Sequence, residues 1–349
     1  MKDLIDKLYR ENYLNEIELL YLLDNMKEND KDYLISKAHE VRIKSYGDKV
    51  YMRGLIEFTN YCKNNCVYCG IRASNNDADR YRLTVDEIIS ACTEGDRLGY
   101  KTFVLQGGED SFFTDDKIVE IISEIKKRFP LSAITLSIGE KSYDSYKKYF
   151  DAGADRYLLR HETASEELYR KLHPNMSFEN RKKCLTDLKK IGYQVGAGFM
   201  VGLPGQSNND YVKDLLFLKE LEPHMIGIGP FIPHKDTPLA KEASGTIDTT
   251  TTMLAIVRLL LSEVLLPATT ALGSLDSTGR EKGLKAGANV VMPNLTPMYV
   301  REKYALYDGK ICTGDEAAHC RNCIEKRIMN AGFCADMSRG DNVNWKRNS

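Results

Sequence analysis

A rhythm constrains this chain more than any other feature: a short apolar or β-branched run, then a longer amphipathic segment, repeated along most of its length. The runs "RGLIEFTN", "KTFVLQGG", "AITLSIGE", "DRYLLRHE", "QVGAGFMVG", "MIGIGPFIP", "LPATTALG" and "ANVVMPN" predict strands. Between them, segments such as "TVDEIISACTEGDRLG", "DDKIVEIISEIKKRF", "FENRKKCLTDLKKIG" and "TTTMLAIVRLLLSEV" predict helices, often closed by glycine. Parallel strands need helical crossovers, and eight such units can close on themselves. The pattern therefore points to an α/β fold, a (β/α)8 TIM-type barrel, with an open doubly wound sheet as the alternative. Barrels place catalytic groups at the C-terminal ends of their strands. Polar residues fall there: Thr59 and Asn60, Gln106 and Glu109, Ser137 and Glu140, Arg160 and Glu162, Thr269 and Thr270. The expected division is a helical extension over residues 1–50, the barrel over 51–300 and a C-terminal segment over 301–349.

Charge and cysteine placement narrow the chemistry. Lys and Arg number 49 against 50 Asp and Glu, a net charge of -1 that offers no basic surface for nucleic acid. The N-terminus mixes acids and bases through its apolar positions, unlike a signal-peptide core, and no apolar run reaches the length of a membrane span. A cytoplasmic location without a membrane partner is expected. Nine cysteines in such a chain suggest metal over disulfides, because cytosolic thiols stay reduced. Cys62, Cys66 and Cys69 form one group, in "NYCKNNCVYCG" after the first strand, and Cys312, Cys320 and Cys323 form another. Cys92, Cys184 and Cys334 stand alone and are expected to pack as small hydrophobes. A structural zinc site wants four closed ligands, and the first group lacks the fourth. Three thiolates on an iron-sulfur cube leave one iron open, which is useful where something else must bind.

Cys62, Cys66 and Cys69, with Tyr68 before the last, resemble the Cx3Cx2C signature of radical S-adenosylmethionine (SAM) enzymes. The resemblance implies a [4Fe-4S] cluster whose open iron is chelated by SAM, and reductive cleavage of SAM to a 5'-deoxyadenosyl radical. "QGGED", residues 106–110, resembles the superfamily's GGE element, although a Gly-Gly pair alone is more often a turn. "GAGFMVGLPGQ", residues 196–206, resembles the segment along the adenosine; without the cysteines it would read as a strand with close backbone packing. "RYLLRHETA", "LHPNMSFENR", "GIGPFIPHKDTPLA", "PATTALG", "GANVVMPN" and "YDGKIC" narrow the likeness to the biotin synthase-like branch, and within it to the HydE family of [FeFe]-hydrogenase maturation enzymes, from about residue 1 to about 330. Biotin synthase itself is held at a distance, because its cluster-binding cysteines are replaced by Gln106, Ser137 and Met200 on the matching strands. A mutase like methylornithine synthase, and a non-enzymatic carrier of an iron complex, are the alternatives.

The likeness assigns roles residue by residue. Cys62, Cys66 and Cys69 would hold the catalytic cluster. Gly107, Gly108 and Glu109 would meet the SAM amino group, and Ser137, Glu162, Arg181 and Met200 would hold the rest of SAM. On position alone, Arg181 could equally be a helix-surface residue and Glu162 a cap for the next helix. Gln106, Arg156, Arg160, Thr269, Thr270 and Tyr307 would line the substrate, an iron carbonyl-cyanide complex bound to cysteine. Arg156 and Arg160 are an even number apart and would share one face of a strand. Outward-facing, they would merely pair with helix acids. Cys312, Cys320 and Cys323 resemble a site for an auxiliary [2Fe-2S] or [4Fe-4S] cluster, with zinc open as an alternative through His319. An electron donor such as ferredoxin or flavodoxin and companion maturases are the implied protein partners.

Overall fold

In the computed structural model, which describes residues 1–314 and 316–347, the alternating pattern builds a ring of parallel staves with helices outside. Six staves form one continuous ladder: Gly54–Thr59, Thr102–Gly107, Ala133–Ser137, Arg156–Leu158, Gln194–Ala197 and Met225–Ile226, in chain order. The other two join through isolated parallel bridges, Met225 with Leu265, Pro267 with Val290, and Asn294 with Leu55 of the first stave. Backbone bonds from Ile226 N to Leu265 O (3.0 Å), Ala268 N to Val290 O (2.9 Å) and Leu295 N to Leu55 O (2.7 Å) carry the ring round. The staves bury both faces, the burial expected of a parallel sheet inside helices.

The run "LPATTALG" is a stave only to residue 267: Thr269 is still extended, and Thr270–Leu275 is a helix. Helix Ile247–Leu260 is buried on nearly every side because Glu28–Tyr46 of the N-terminal segment packs over it. The first fifty residues form three helices, Lys2–Glu11, Glu16–Asn25 and Glu28–Tyr46, set against the outer helices Asn208–Leu221 and Ile247–Leu260. No helix among the described residues is long and apolar enough to cross a membrane.

The chain beyond residue 301 serves both ends of the barrel. Residues 303–312 run along the C-terminal rim: Asn60 Nδ2 donates to Lys303 O (2.7 Å), Gly70 N to Leu306 O (3.0 Å) and Asp308 N to Pro233 O (3.0 Å). Helix Ala317–Asn330 follows, then strand Cys334–Asp336, which pairs with Lys49–Met52. The tail beyond it crosses the opposite end of the barrel, where Asp341 and the Arg339 carbonyl meet Arg156.

Candidate cluster and cofactor site

The three cysteines sit in a loop between residues 60 and 82 that is tied from within. Arg80 donates to four carbonyls, those of Asn60 (2.5 Å), Ile71 (2.9 Å), Arg72 (2.6 Å) and Asn75 (3.0 Å). At the loop's end Arg82 forms a two-point bond to Asp110 (2.7 and 2.9 Å), which also accepts from Thr59 Oγ1 (2.8 Å). A planar guanidinium suits both tasks, since it offers five donors in fixed directions. Sequence reasoning gave Arg80 no role; its only mark is an arginine in a polar loop.

Glycines 107 and 108 are also required by the packing around them. A Cβ on Gly108 would collide with the Tyr61 carbonyl and stand 2.7 Å from Cys62 Cβ, and one on Gly107 would stand 2.7 Å from Thr59 Cγ2. The space is filled by the first stave and the cysteine loop, so glycine here lets that loop lie against the second stave. Lys63 N donates to Glu109 O (3.0 Å), and Glu109 N reaches Cys62 Sγ (3.4 Å). The Glu109 carboxylate faces Lys63 Nζ (3.2 Å) and accepts from Glu140 N (2.9 Å).

Glu162 lies on the next part of the rim with a positive φ of 65°, rare for a residue with a side chain. Its N donates to Gly198 O (2.9 Å) and its O accepts from Met200 N (3.0 Å), which fixes it beside the 196–201 segment. Arg160 Nη2 comes within 2.9 Å of Glu162 Oε2 without hydrogen-bond geometry, and donates to Phe199 O (2.9 Å). Arg181 is buried, with Nε on Glu140 (2.6 Å) and Nη1 on the Arg160 carbonyl (2.5 Å). It is therefore buried behind the rim beside Arg160, and not a surface residue of its helix. Glu140, noted only as a strand-end acid, is the partner that orients it.

Met200 packs with Leu168, Leu172, Leu203 and Phe231 against Val67 and Tyr68 of the cysteine loop. Gln106 Nε2 donates to Tyr304 Oη (3.3 Å). In the ladder Ser137 pairs with Gln106 and Gln106 with Glu57, so the three lie at one height. Glu57 accepts from Lys310 Nζ (2.6 Å) and Asn294 Nδ2 (3.1 Å), a buried ion pair on the rim that sequence reasoning missed.

Arg156 is not at this end. It pairs in register with Thr135, two residues before Ser137, and its fully buried guanidinium meets Thr102 Oγ1 (3.0 Å) and Asp341 (2.5 Å) at the barrel floor. The even spacing from Arg160 does not bring the two together, because the strand ends at Leu158 and Arg160 lies beyond it on the rim. Of the C-terminal cysteines, Cys320 is buried beside Cys312, while Cys323, one turn along the helix, is exposed.

The residues fit the cofactors that such a loop implies. Burial pushes the Cys62, Cys66 and Cys69 thiols up, Cys66 to about 12. Half-buried thiols so disposed need a cation such as iron to hold them as thiolates. Among the described residues no three His, Cys, Asp or Glu side chains form a group able to hold a single metal ion. A cube spreads its thiolates over separate irons and asks for no such convergence. Glu162 Oε2, Arg160 Nε and Thr269 Oγ1 are buried with no hydrogen-bond partner, the condition of polar groups awaiting a ligand.

The family model for the radical SAM superfamily matches residues 56–218. The chain is 48% identical over 94% of its length to the [FeFe] hydrogenase maturase subunit HydE of Thermotoga maritima, covering 93% of that protein. It is 31% identical to the 3-methylornithine synthase of Methanosarcina acetivorans, over 84% of this chain and 83% of that one. The crystal structure of methylornithine synthase (PylB) superposes with a TM-score of 0.83 at 27% identity, over 95% of this chain and 97% of that one. With the cysteine loop, the barrel and these matches in hand, the chain belongs to the radical SAM superfamily, as a radical SAM enzyme of the biotin synthase-like branch similar to HydE.

Proposed function

We propose that this enzyme matures [FeFe]-hydrogenase by radical chemistry on a small iron carbonyl-cyanide complex carried on a cysteine thiolate. The observation that carries the reading is the 48% identity to HydE, which extends over 94% of the chain. Cys62, Cys66 and Cys69 would hold a [4Fe-4S] cluster, and Gly107, Gly108, Glu109, Ser137, Glu162, Arg181 and Met200 would hold SAM. When bound, the pair supplies a 5'-deoxyadenosyl radical.

The protein's own part is to bind, orient and shield. Arg160 offers a half-buried guanidinium with its Nε unpartnered, and Thr269 an unpartnered hydroxyl, a match for anionic cyanide or carboxylate groups. Gln106, Thr270 and Tyr307 complete the lining. The apolar cluster around Met200 and the rim segment 303–312 exclude water, which strengthens these electrostatic contacts. Arg156 supports the floor and takes no part in the lining. Cys312, Cys320 and Cys323 would hold an auxiliary cluster. A low-potential donor such as ferredoxin or flavodoxin would supply the electron, and companion maturases would deliver and receive the complex.

The test is 5'-deoxyadenosine release by anaerobically reconstituted, reduced protein with SAM, with and without the cysteine-bound iron complex. Stimulation of tenfold or more by the complex is expected. Stimulation by lysine instead would favour a mutase, the reading that the 31% identity to 3-methylornithine synthase supports. If the Cys62→Ala, Cys66→Ala, Cys69→Ala triple variant still matured hydrogenase, the chain would be a carrier and not an enzyme.

A further inference from the structure

Arg280 is buried on the short helix Gly279–Lys285, and its one guanidinium touches two places that the sequence keeps apart. Nη2 donates to Thr270 Oγ1 (3.3 Å), and Nη1 and Nη2 lie 3.7 and 3.6 Å from Cys312 Sγ. Thr270 opens the helix Thr270–Leu275 after the seventh stave, and Cys312 belongs to the C-terminal cysteine group. Further contacts join the same two segments. Ile311 N donates to Ser274 Oγ (3.3 Å), and the Tyr307 hydroxyl also bonds to Ser274. A Cβ on Gly273 would stand 2.9 Å from Ile311 Cδ1, so the rim segment is seated directly on this helix. Lys310, two residues before Cys312, continues the path to Glu57 on the first stave.

We propose that Arg280 is a positioning residue that couples the C-terminal cysteine group to the substrate-facing rim, so that a change at Cys312 is felt at Thr270 and Tyr307. Nη2 meets both the hydroxyl and the sulfur while Nη1 adds a second contact to the sulfur, a fixed two-nitrogen geometry that a lysine ammonium does not reproduce. The coupling is reciprocal: whatever fixes Thr270 also fixes Cys312. Its functional meaning rests on the reading of Thr270 and Tyr307 as substrate-lining residues.

Hydrogen exchange of the full-length protein, anaerobic and without SAM or substrate, tests the coupling by itself. Cys312→Ala is expected to speed exchange several-fold in residues 270–276, with the six-stave ladder unchanged. Arg280→Gln should give the same rise, and adding Cys312→Ala to it should give no more. Arg280→Lys, the milder variant should Arg280→Gln fold poorly, should restore protection only in part. An unchanged 270–276 segment in Cys312→Ala, or a full additive effect in the double variant, would overturn the proposal. With the iron complex as probe, Cys312→Ala should raise its KM several-fold and leave the KM for SAM alone. If no complex stimulates the wild type, the substrate reading fails while the exchange result still decides the coupling.

Discussion

His173 lies behind the cysteine loop, and its surroundings fix its tautomer. Its Nδ1 faces the Tyr169 carbonyl (3.0 Å) and so carries the hydrogen, leaving Nε2 to accept from the Tyr68 hydroxyl (3.0 Å). Burial, helped by the Arg181 charge, pushes its pKa down to about 3. The unfolded chain takes up a proton here below about pH 6.5 and the folded chain does not. Stability is therefore whole above that value and falls as pH drops towards 3, by roughly 1.4 kcal/mol per pH unit. Urea unfolding at pH 7.5 and 5.5 should show this loss, and His173→Gln should lose less over the same interval. Equal losses in the two proteins would mean that His173 is not the group responsible. At this scale the thiols, Glu162 and Arg181 were legible because they lie in recognisable motifs. Glu140 was legible as a strand-end acid, but its pairing with Arg181 spans 41 residues and no local pattern carries it.

At the scale of elements, periodicity served well where one face is buried and poorly where burial is all round or the element is short. The ladder staves and their covering helices carry the strand and helix periods plainly. Helices Glu166–Leu172 and Gly279–Lys285 are too short for a period to register, and the stave at residues 265–267 gives way to helix after three residues. The cysteine loop is held by backbone bonds of its own, such as Ala73 N to Asn64 O (2.8 Å) and Arg72 N to Cys69 O (3.1 Å), and by the four that Arg80 adds across it. Removing the Arg80 guanidinium leaves four carbonyls short of a donor, and hydrogen bonds to charged groups contribute about 1.5–3 kcal/mol each. Arg80→Met is expected to fold, with unchanged far-UV circular dichroism, yet to bind less than half the iron of the wild type after reconstitution. Full iron content would show that the cysteines alone organise the loop.

For the whole molecule, the C-terminal tail closes the barrel floor around a buried charge. Asp341 accepts from Arg156 (2.5 Å) and Gln194 (2.7 Å) and holds Arg339 (2.8 Å), whose guanidinium also reaches Asp155 (3.1 Å). Burial alone would raise the Asp341 pKa, but Arg156 and Arg339 outweigh it and hold the carboxyl down at about 2. Taking away one partner of a buried pair costs about 3–5 kcal/mol, because the other charge stays behind. Asp341→Ala should thus lower the unfolding free energy by about 3 kcal/mol while SAM cleavage per folded molecule holds, since the pair lies at the far end from the cysteines. A loss of cleavage at unchanged stability would return Arg156 to the site.

The alternation that builds the ring, the three thiols after the first strand and the family to which they belong can all be read along the chain, because each is written in local spacing. How high each residue stands in the barrel depends on the folded ring. Arg156 and Arg160 look equivalent along the chain, yet one sits at the floor under the tail and the other on the rim. The height of a side chain is set by the register between neighbouring staves and by where a strand ends. Register comes from pairing between distant segments and from what closes over them, such as the tail beyond residue 336, whose partners lie some two hundred residues earlier. Hydrophobic period says which face a residue takes; the closed ring alone says which end.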